Sequence, residues 1–180
     1  GGAAIVGRTL HYFSGAVRKD STGTATIDQP DHYVLQLDGG TSWTSAAPVP
    51  NPRNHIAAAA LGGTIYLIGG QHGAVEGTTE RQGVDAYDTA TGTWSRKADL
   101  PVPRGHISAS TFALNGKIVT VGGSVVGTNA GVASNTVWQY DPASDAWTTL
   151  TALPGARTSP VADVLNGQNV VNGGQTSLPT

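Results

Sequence analysis

Three arginines, two histidines and one polar loop carry the side chains of this sequence best suited to chemistry. Arg53, Arg104 and Arg157 each follow a tryptophan by ten residues, the tryptophans being Trp43, Trp94 and Trp147. His55 and His106 come two residues after the first two arginines, and Ser159 takes that place after the third. The segment 71–83, QHGAVEGTTERQG, adds His72, Glu76, Glu80 and Arg81, and 18–20 adds Arg18, Lys19 and Asp20. A guanidinium group presents a planar fork of N–H donors that suits carboxylate, phosphate or sulfate. Neutral imidazoles from His55, His72 and His106 could instead converge on a metal. No His-x-His or His-x-x-x-His spacing supports that, so no metal and no cofactor is expected. With no cysteine in the chain, thiolate ligands, cysteine nucleophiles and disulfides are excluded.

A tryptophan–arginine spacing kept three times implies a repeated structural unit, and other landmarks recur with it. GTIYLIGG at 63–70, GKIVTVGG at 116–123 and GQNVVNGG at 167–174 align without gaps, and RTLHYFSG at 8–15 is a weaker copy. Their final glycines are 55, 53 and 51 residues apart. Each copy follows a small-residue apolar run, at 3–7, 55–61, 106–114 and 159–165. After it comes an aromatic segment ending in Asp: YVLQLD at 33–38, VDAYD at 84–88 and VWQYD at 137–141. The tryptophan sits five or six residues further on. One unit thus holds four short strand-like segments, a, b, c and d, punctuated by Gly, Asn, Asp and Pro. The b segments are apolar at nearly every position, which predicts burial on both faces. In the c segments Val84 and Ala86 alternate with Asp85 and Tyr87, the pattern of a strand with two unlike faces.

Composition agrees with an all-β chain. Gly and Pro are plentiful, at 25 and 10 of 180 residues, while charged residues make up 12%. The net charge of −2 gives no field for nucleic acid. No apolar run approaches the roughly 20 residues of a membrane-spanning helix. Low charge with enrichment in Ala, Thr, Gly and Ser is in keeping with a secreted protein.

The ordered set (a Gly pair closing b, Tyr-Asp ending c, a Trp about six residues on, then Pro and Arg before the next a) resembles the kelch repeat over essentially the whole chain. The resemblance implies β-propeller blades of four antiparallel strands, at about 1–50, 51–101 and 102–154, with a half blade at 155–180. It departs in the outer units, where Ser14-Gly15 and Leu37-Asp38 replace the Gly pair and Tyr-Asp, and Asn169 and Asn172 enter the last b segment. Three and a half blades form an incomplete ring. The remaining blades are therefore expected from a further part of the same polypeptide or from a second chain, and the absence of Met points the same way.

The b–c and d–a connections share one face of such an array. The a–b turns on the other face are two-residue Gly-Gly or Asn-Gly pairs. The polar face therefore collects Arg53, His55, His72, Glu76, Arg81, Arg104, His106 and Arg157. The resemblance implies a binding module that receives an acidic protein segment or a glycan there. The arginines could equally bond backbone carbonyls of the next blade, and the histidines could be structural. The competing reading is part of a carbohydrate-active or metal-dependent propeller enzyme whose catalytic residues lie partly outside this chain.

Overall fold

The structure, a computed structural model, describes residues 1–19, 26–73, 81–125 and 131–176. The described residues contain strands and turns but no helix. The first sheet begins with β1 (Gly2–Val6) and β2 (Thr9–Phe13). The chain then makes an outlying hairpin of β3 (Ala16–Arg18) and β4 (Thr26–Asp28), and returns as β5 (His32–Gln36) and β6 (Thr44–Ser45). A second sheet runs β7 (Ala57–Leu61), β8 (Thr64–Ile68), β9 (Val84–Asp88) and β10 (Thr93–Arg96) in sequence order. The third has β11 (Thr111–Leu114) and β12 (Lys117–Val121). A small outlying pair, β13 (Ser124–Val125) and β14 (Val132–Ala133), precedes β15 (Val137–Asp141) and β16 (Ala146–Leu150). The last sheet holds β17 (Val161–Leu165) and β18 (Gln168–Asn172). All pairings are antiparallel, and strands a to d lie side by side in chain order.

Strand a of each sheet lies against strand a of the next: β1 on β7, β7 on β11 and β11 on β17. Sheets stacked face to face with their first strands converging are blades fanned about an axis. The core is accordingly three inter-sheet layers. Phe13, Ile56, Ile65, Leu67 and Tyr87 fill the first. Tyr66, Ile68, Leu100, Ile118, Trp138 and Tyr140 fill the second. Val119, Val121, Val137 and Ala162 make a thinner third. Because blades two and three have neighbours on both sides, β8 and β12 bury every residue after the first, as their apolar runs predict.

Strand c differs from expectation. Val84, Asp85, Ala86 and Tyr87 are all buried, so the alternation in this segment separates two interfaces rather than an inside from an outside. In blade one the pairing Thr9↔Gln36 parallels Thr64↔Asp88, which makes Leu35 and Gln36 the counterparts of Tyr87 and Asp88. Leu37 and Asp38 lie in the turn instead, where Asp38 pairs with Arg8. The b–c connections, expected as plain loops, contain the outlying strand pairs in blades one and three.

The glycine pairs are placed by close approach of the next blade. Gly69 and Gly122 adopt φ of 59° and 63°, and a Cβ on either would run into the carbonyl of Arg104 or Arg157. Ser14 takes the same conformation in blade one, at φ 55°, and its hydroxyl donates to Arg53 O at 2.6 Å.

Candidate functional site

The arginine after each d strand turns into the blade that follows. Asn54, next to Arg53, bridges Gln71, and Gly105, next to Arg104, bridges Ser124, so the chain is pinned beside the end of strand b immediately after each arginine. Arg53 is 2% exposed. Its Nε donates to Gly69 O at 2.5 Å, and its Nη atoms donate to Asn51 O, Leu67 O and Gly83 O and to Asp85 Oδ2 at 2.7 Å. Burial pulls its pKa down and the Asp85 carboxylate opposes that shift. Arg104, also 2% exposed, donates to Gly122 O and Thr136 Oγ1. Here Trp138 replaces the aspartate of strand c, and the guanidinium lies 4.3 Å from its ring centre. With no carboxylate beside it, desolvation lowers the Arg104 pKa to about 10, and its Nε is buried without a partner. The forks of Arg53 and Arg104 are therefore engaged inside the scaffold. Arg157 is half-buried, and its Nη1 donates to Ala156 O at 2.9 Å.

The other candidates fall into two groups on the same loop-rich face. In the first, Arg81 and His72 come from the b–c connection of blade two and join Asn51, Gln82 and Arg96 around a cavity of about 460 Å³ backed by Arg53. The Arg81 side chain is exposed, but its backbone is held by N–H donation to Gly70 O and by acceptance from Arg104 N–H. Among the described residues no carboxylate lies against it. His72 is paired with Asp28 of β4 at 2.8 Å, which fastens the outlying hairpin of blade one to blade two. Arg96 reaches Asp99, and Asp85 at 3.5 Å. Glu76, with Asp20 and Glu80, lies outside the described residues.

In the second group, His55 and His106 stack with ring centres 4.5 Å apart. Both occupy the left-handed region, at φ of 51° and 55°, and so does Ser159 at 49°. Three non-glycine residues in this conformation at one repeat position is the kind of backbone feature that clusters at functional sites. His106 Nε2–H donates to Gln71 Oε1 at 3.1 Å, which leaves Nδ1 to accept from the Ser159 hydroxyl at 3.2 Å. His55 contacts the Asn54 side-chain carbonyl. His72 belongs to the other group, and among the described residues no set of three His, Asp or Glu is placed to hold a metal ion.

Asn51, Gln71 and Arg96 escaped the reading of the sequence. Arg96 was within reach of it, because the end of strand d lies on the same face as the b–c connection. Gln71 was not, since its part in the site depends on His106 from another blade.

A sequence model of the KLHDC2/KLHL20/DRC7 Kelch-repeats domain matches residues 2–176. Kelch-like protein 25 of Xenopus tropicalis is 30% identical over 157 residues, 84% of this chain and 23% of that protein. Kelch repeat and BTB domain-containing protein 1 of vaccinia virus (strain Copenhagen) is 29% identical over 164 residues, 91% of this chain and 27% of that protein. Alpha-scruin of Limulus polyphemus is 30% identical over 141 residues, 77% of this chain and 15% of that protein. The chain spans about a quarter or less of the length of these relatives.

Proposed function

The chain belongs to the kelch-repeat family, and from that premise we propose that it is a protein-interaction module whose loop-rich face takes an acidic segment of a partner. The observation that carries this is the cavity of about 460 Å³ in which Arg81, His72 and Arg96 meet above the buried Arg53. Arg81 brings an exposed guanidinium on a backbone fixed by two hydrogen bonds, so little ordering is required when a carboxylate arrives. Arg53 and Arg104 then serve as positioning residues. The stacked His55–His106 pair supplies further polar contacts nearer the axis, where Arg157 and Ser159 belong to the last sheet. A cationic lining favours an acidic protein segment over a neutral glycan. The open ends of the blade array are surfaces for further blades, from the same polypeptide or a second chain.

The test is fluorescence anisotropy of a labelled Asp/Glu-rich peptide against the full chain. Each charge-assisted hydrogen bond is worth about 1.5–3 kcal/mol, so Arg81→Ala should weaken binding by roughly tenfold or more without lowering the melting temperature. His72→Ala should weaken it less, and raised salt should weaken it further. Equal affinity of the Arg81→Ala chain, or of a neutral peptide of the same length, removes the proposal.

A further inference from the structure

We propose that the acidic partner segment also carries an apolar side chain two residues from its carboxylate, and that Val102, between the cationic cavity of blade two and its uncharged counterpart in blade three, selects it. This inference rests on the acidic-segment reading of the loop face and adds a second requirement to it. The reason is one repeat position compared across two blades. Arg81 N–H donates to Gly70 O at 2.8 Å and Ser134 N–H to Gly123 O at 2.9 Å, so Ser134 stands in blade three where Arg81 stands in blade two. His72 and Val125 each come two residues after a glycine pair, and Asn51 and Val102 each come two residues before a buried arginine. Arg96 is paired with Asp85 across the c–d ladder, and Thr149 with Trp138. The places of Arg81, His72, Arg96 and Asn51 are thus taken by Ser134, Val125, Thr149 and Val102, none of which carries a charge.

The two sites share a wall. Leu100 N–H donates to Gln82 O at 2.9 Å and Arg104 N–H to Arg81 O at 3.0 Å, so residues 101–103 are looped out beside Arg81 and Gln82. Val102 is 45% exposed there, and a proline on each side restricts its backbone. The bridge from Gly105 to Ser124 ties this wall to the β13–β14 pair, in which Val132, 46% exposed, lies opposite Val125. An extended segment places residues i and i+2 on one side, about 6.6–6.8 Å apart. The same two-residue step separates Val102 from Arg104, whose N–H is bonded to Arg81. A carboxylate seated at Arg81 therefore brings the side chain two residues away onto Val102. Because the wall is already held by hydrogen bonds and prolines, little ordering offsets the gain.

The test is fluorescence anisotropy of labelled peptides against the full chain. The first is an Asp/Glu-rich segment with Leu two residues to either side of a central Glu, the second has Ser for each Leu, and the third has amides for all the carboxylates. The Leu peptide should bind about five- to tenfold tighter than the Ser peptide, as expected for partial burial of a leucine side chain. Val102→Ser in the chain should abolish that preference, with the affinity for the Ser peptide and the melting temperature unchanged. Val132→Ser should reduce the preference by a smaller factor. Arg81→Ala should weaken both acidic peptides by the same factor, roughly tenfold or more. Equal affinity of the Leu and Ser peptides for the unaltered chain overturns this inference while the acidic-segment reading stands. Equal loss of both peptides on Val102→Ser overturns it as well. If the amide peptide binds as tightly as the acidic one, or Arg81→Ala changes nothing, the loop-face reading falls and this inference falls with it.

Discussion

Arg53 and Arg157 hold the same place in the repeat and meet different surroundings. Arg53 enters a finished four-stranded sheet, gives hydrogen bonds to four carbonyls and an ion pair to Asp85, and is 2% exposed. Arg157 enters a sheet that has two strands among the described residues, bonds its neighbour's carbonyl, and lines an open cavity. The difference lies in strand c, which supplies Asp85 and Gly83 O in one case and is absent from the described sheet in the other. The ten residues from Trp to Arg are therefore a clamp across three blades. The indole of Trp94 reaches back to blade one while the guanidinium of Arg104 reaches forward into blade three.

The sharpest way to break this comparison is to truncate both arginines. Arg53→Ala leaves Asp85 buried with Arg96 no nearer than 3.5 Å, and removing one partner of a buried ion pair costs about 3–5 kcal/mol. Arg157→Ala should cost no more than about 0.5 kcal/mol, as for an ordinary surface change. Urea unfolding of the two variants reads the difference, and equal midpoints would show that strand c does not set the role of the arginine.

The glycine pairs give the next largest contrast. Gly69 and Gly173 share the left-handed conformation, at φ of 59° and 64°. A Cβ at Gly69 meets the carbonyl of Arg104, whereas at Gly173 it meets nothing within 4 Å. Gly69→Ala should cost about 3 kcal/mol or more, from strain plus displacement of the next blade. Gly173→Ala should cost about 1 kcal/mol, the conformational penalty alone. Thermal denaturation of both variants tests whether blade contact, rather than backbone preference, places the glycine.

Smaller again is the tryptophan contrast. Trp94→Phe should cost about 1 kcal/mol for the lost bond to Ala47 O. Trp43, 48% exposed on the outer face of blade one beside Tyr12 and Tyr33, should tolerate phenylalanine within about 0.5 kcal/mol. Chemical unfolding followed by circular dichroism, which does not depend on the indole signal, makes the measurement.

These contrasts also show why some of the architecture was readable from residues and some was not. The four-strand unit was legible because glycine pairs, aromatic c strands and tryptophans recur in one order. Burial of β8 on both faces followed from its unbroken apolar run. The fate of the arginines was not legible, because it depends on a partner three segments away. Asp85 in one blade and Trp138 in the next accept the same kind of side chain, by ion pairing and by cation–π contact. The strand pairing of blade one was misread for a local reason: Leu37-Asp38 looks like the end of strand c but lies in the turn beyond it. Arg81 was picked out as a loop charge, but its cavity needed Asn51 from a d–a connection and Arg96 from the end of β10.

The smallest effect concerns acid, and it separates the first inter-blade layer from the second. His32 Nδ1–H donates to Ala47 O at 3.0 Å, so its Nε2 accepts from His11 Nδ1–H at 2.9 Å. Both rings are buried against Phe13, and His32 also meets Trp94. Burial lowers both pKa values from the usual 6.5, and for His11 the neighbouring His32 lowers it further. A histidine whose folded pKa is depressed binds fewer protons than the unfolded chain between its folded value and 6.5. Stability is then complete above pH 6.5 and declines as pH falls through the folded values. A second proton is opposed most strongly, since two imidazolium rings cannot share the 2.9 Å contact. The layer between blades two and three has Tyr66 and Tyr140 stacked edge to face in place of this pair. Hydrogen exchange at pH 7.5 and 5 should therefore show protection falling first in β2 and β5. Replacing His11 by Phe should flatten that response, and equal loss in β8 and β12 would remove the histidine pair as its cause.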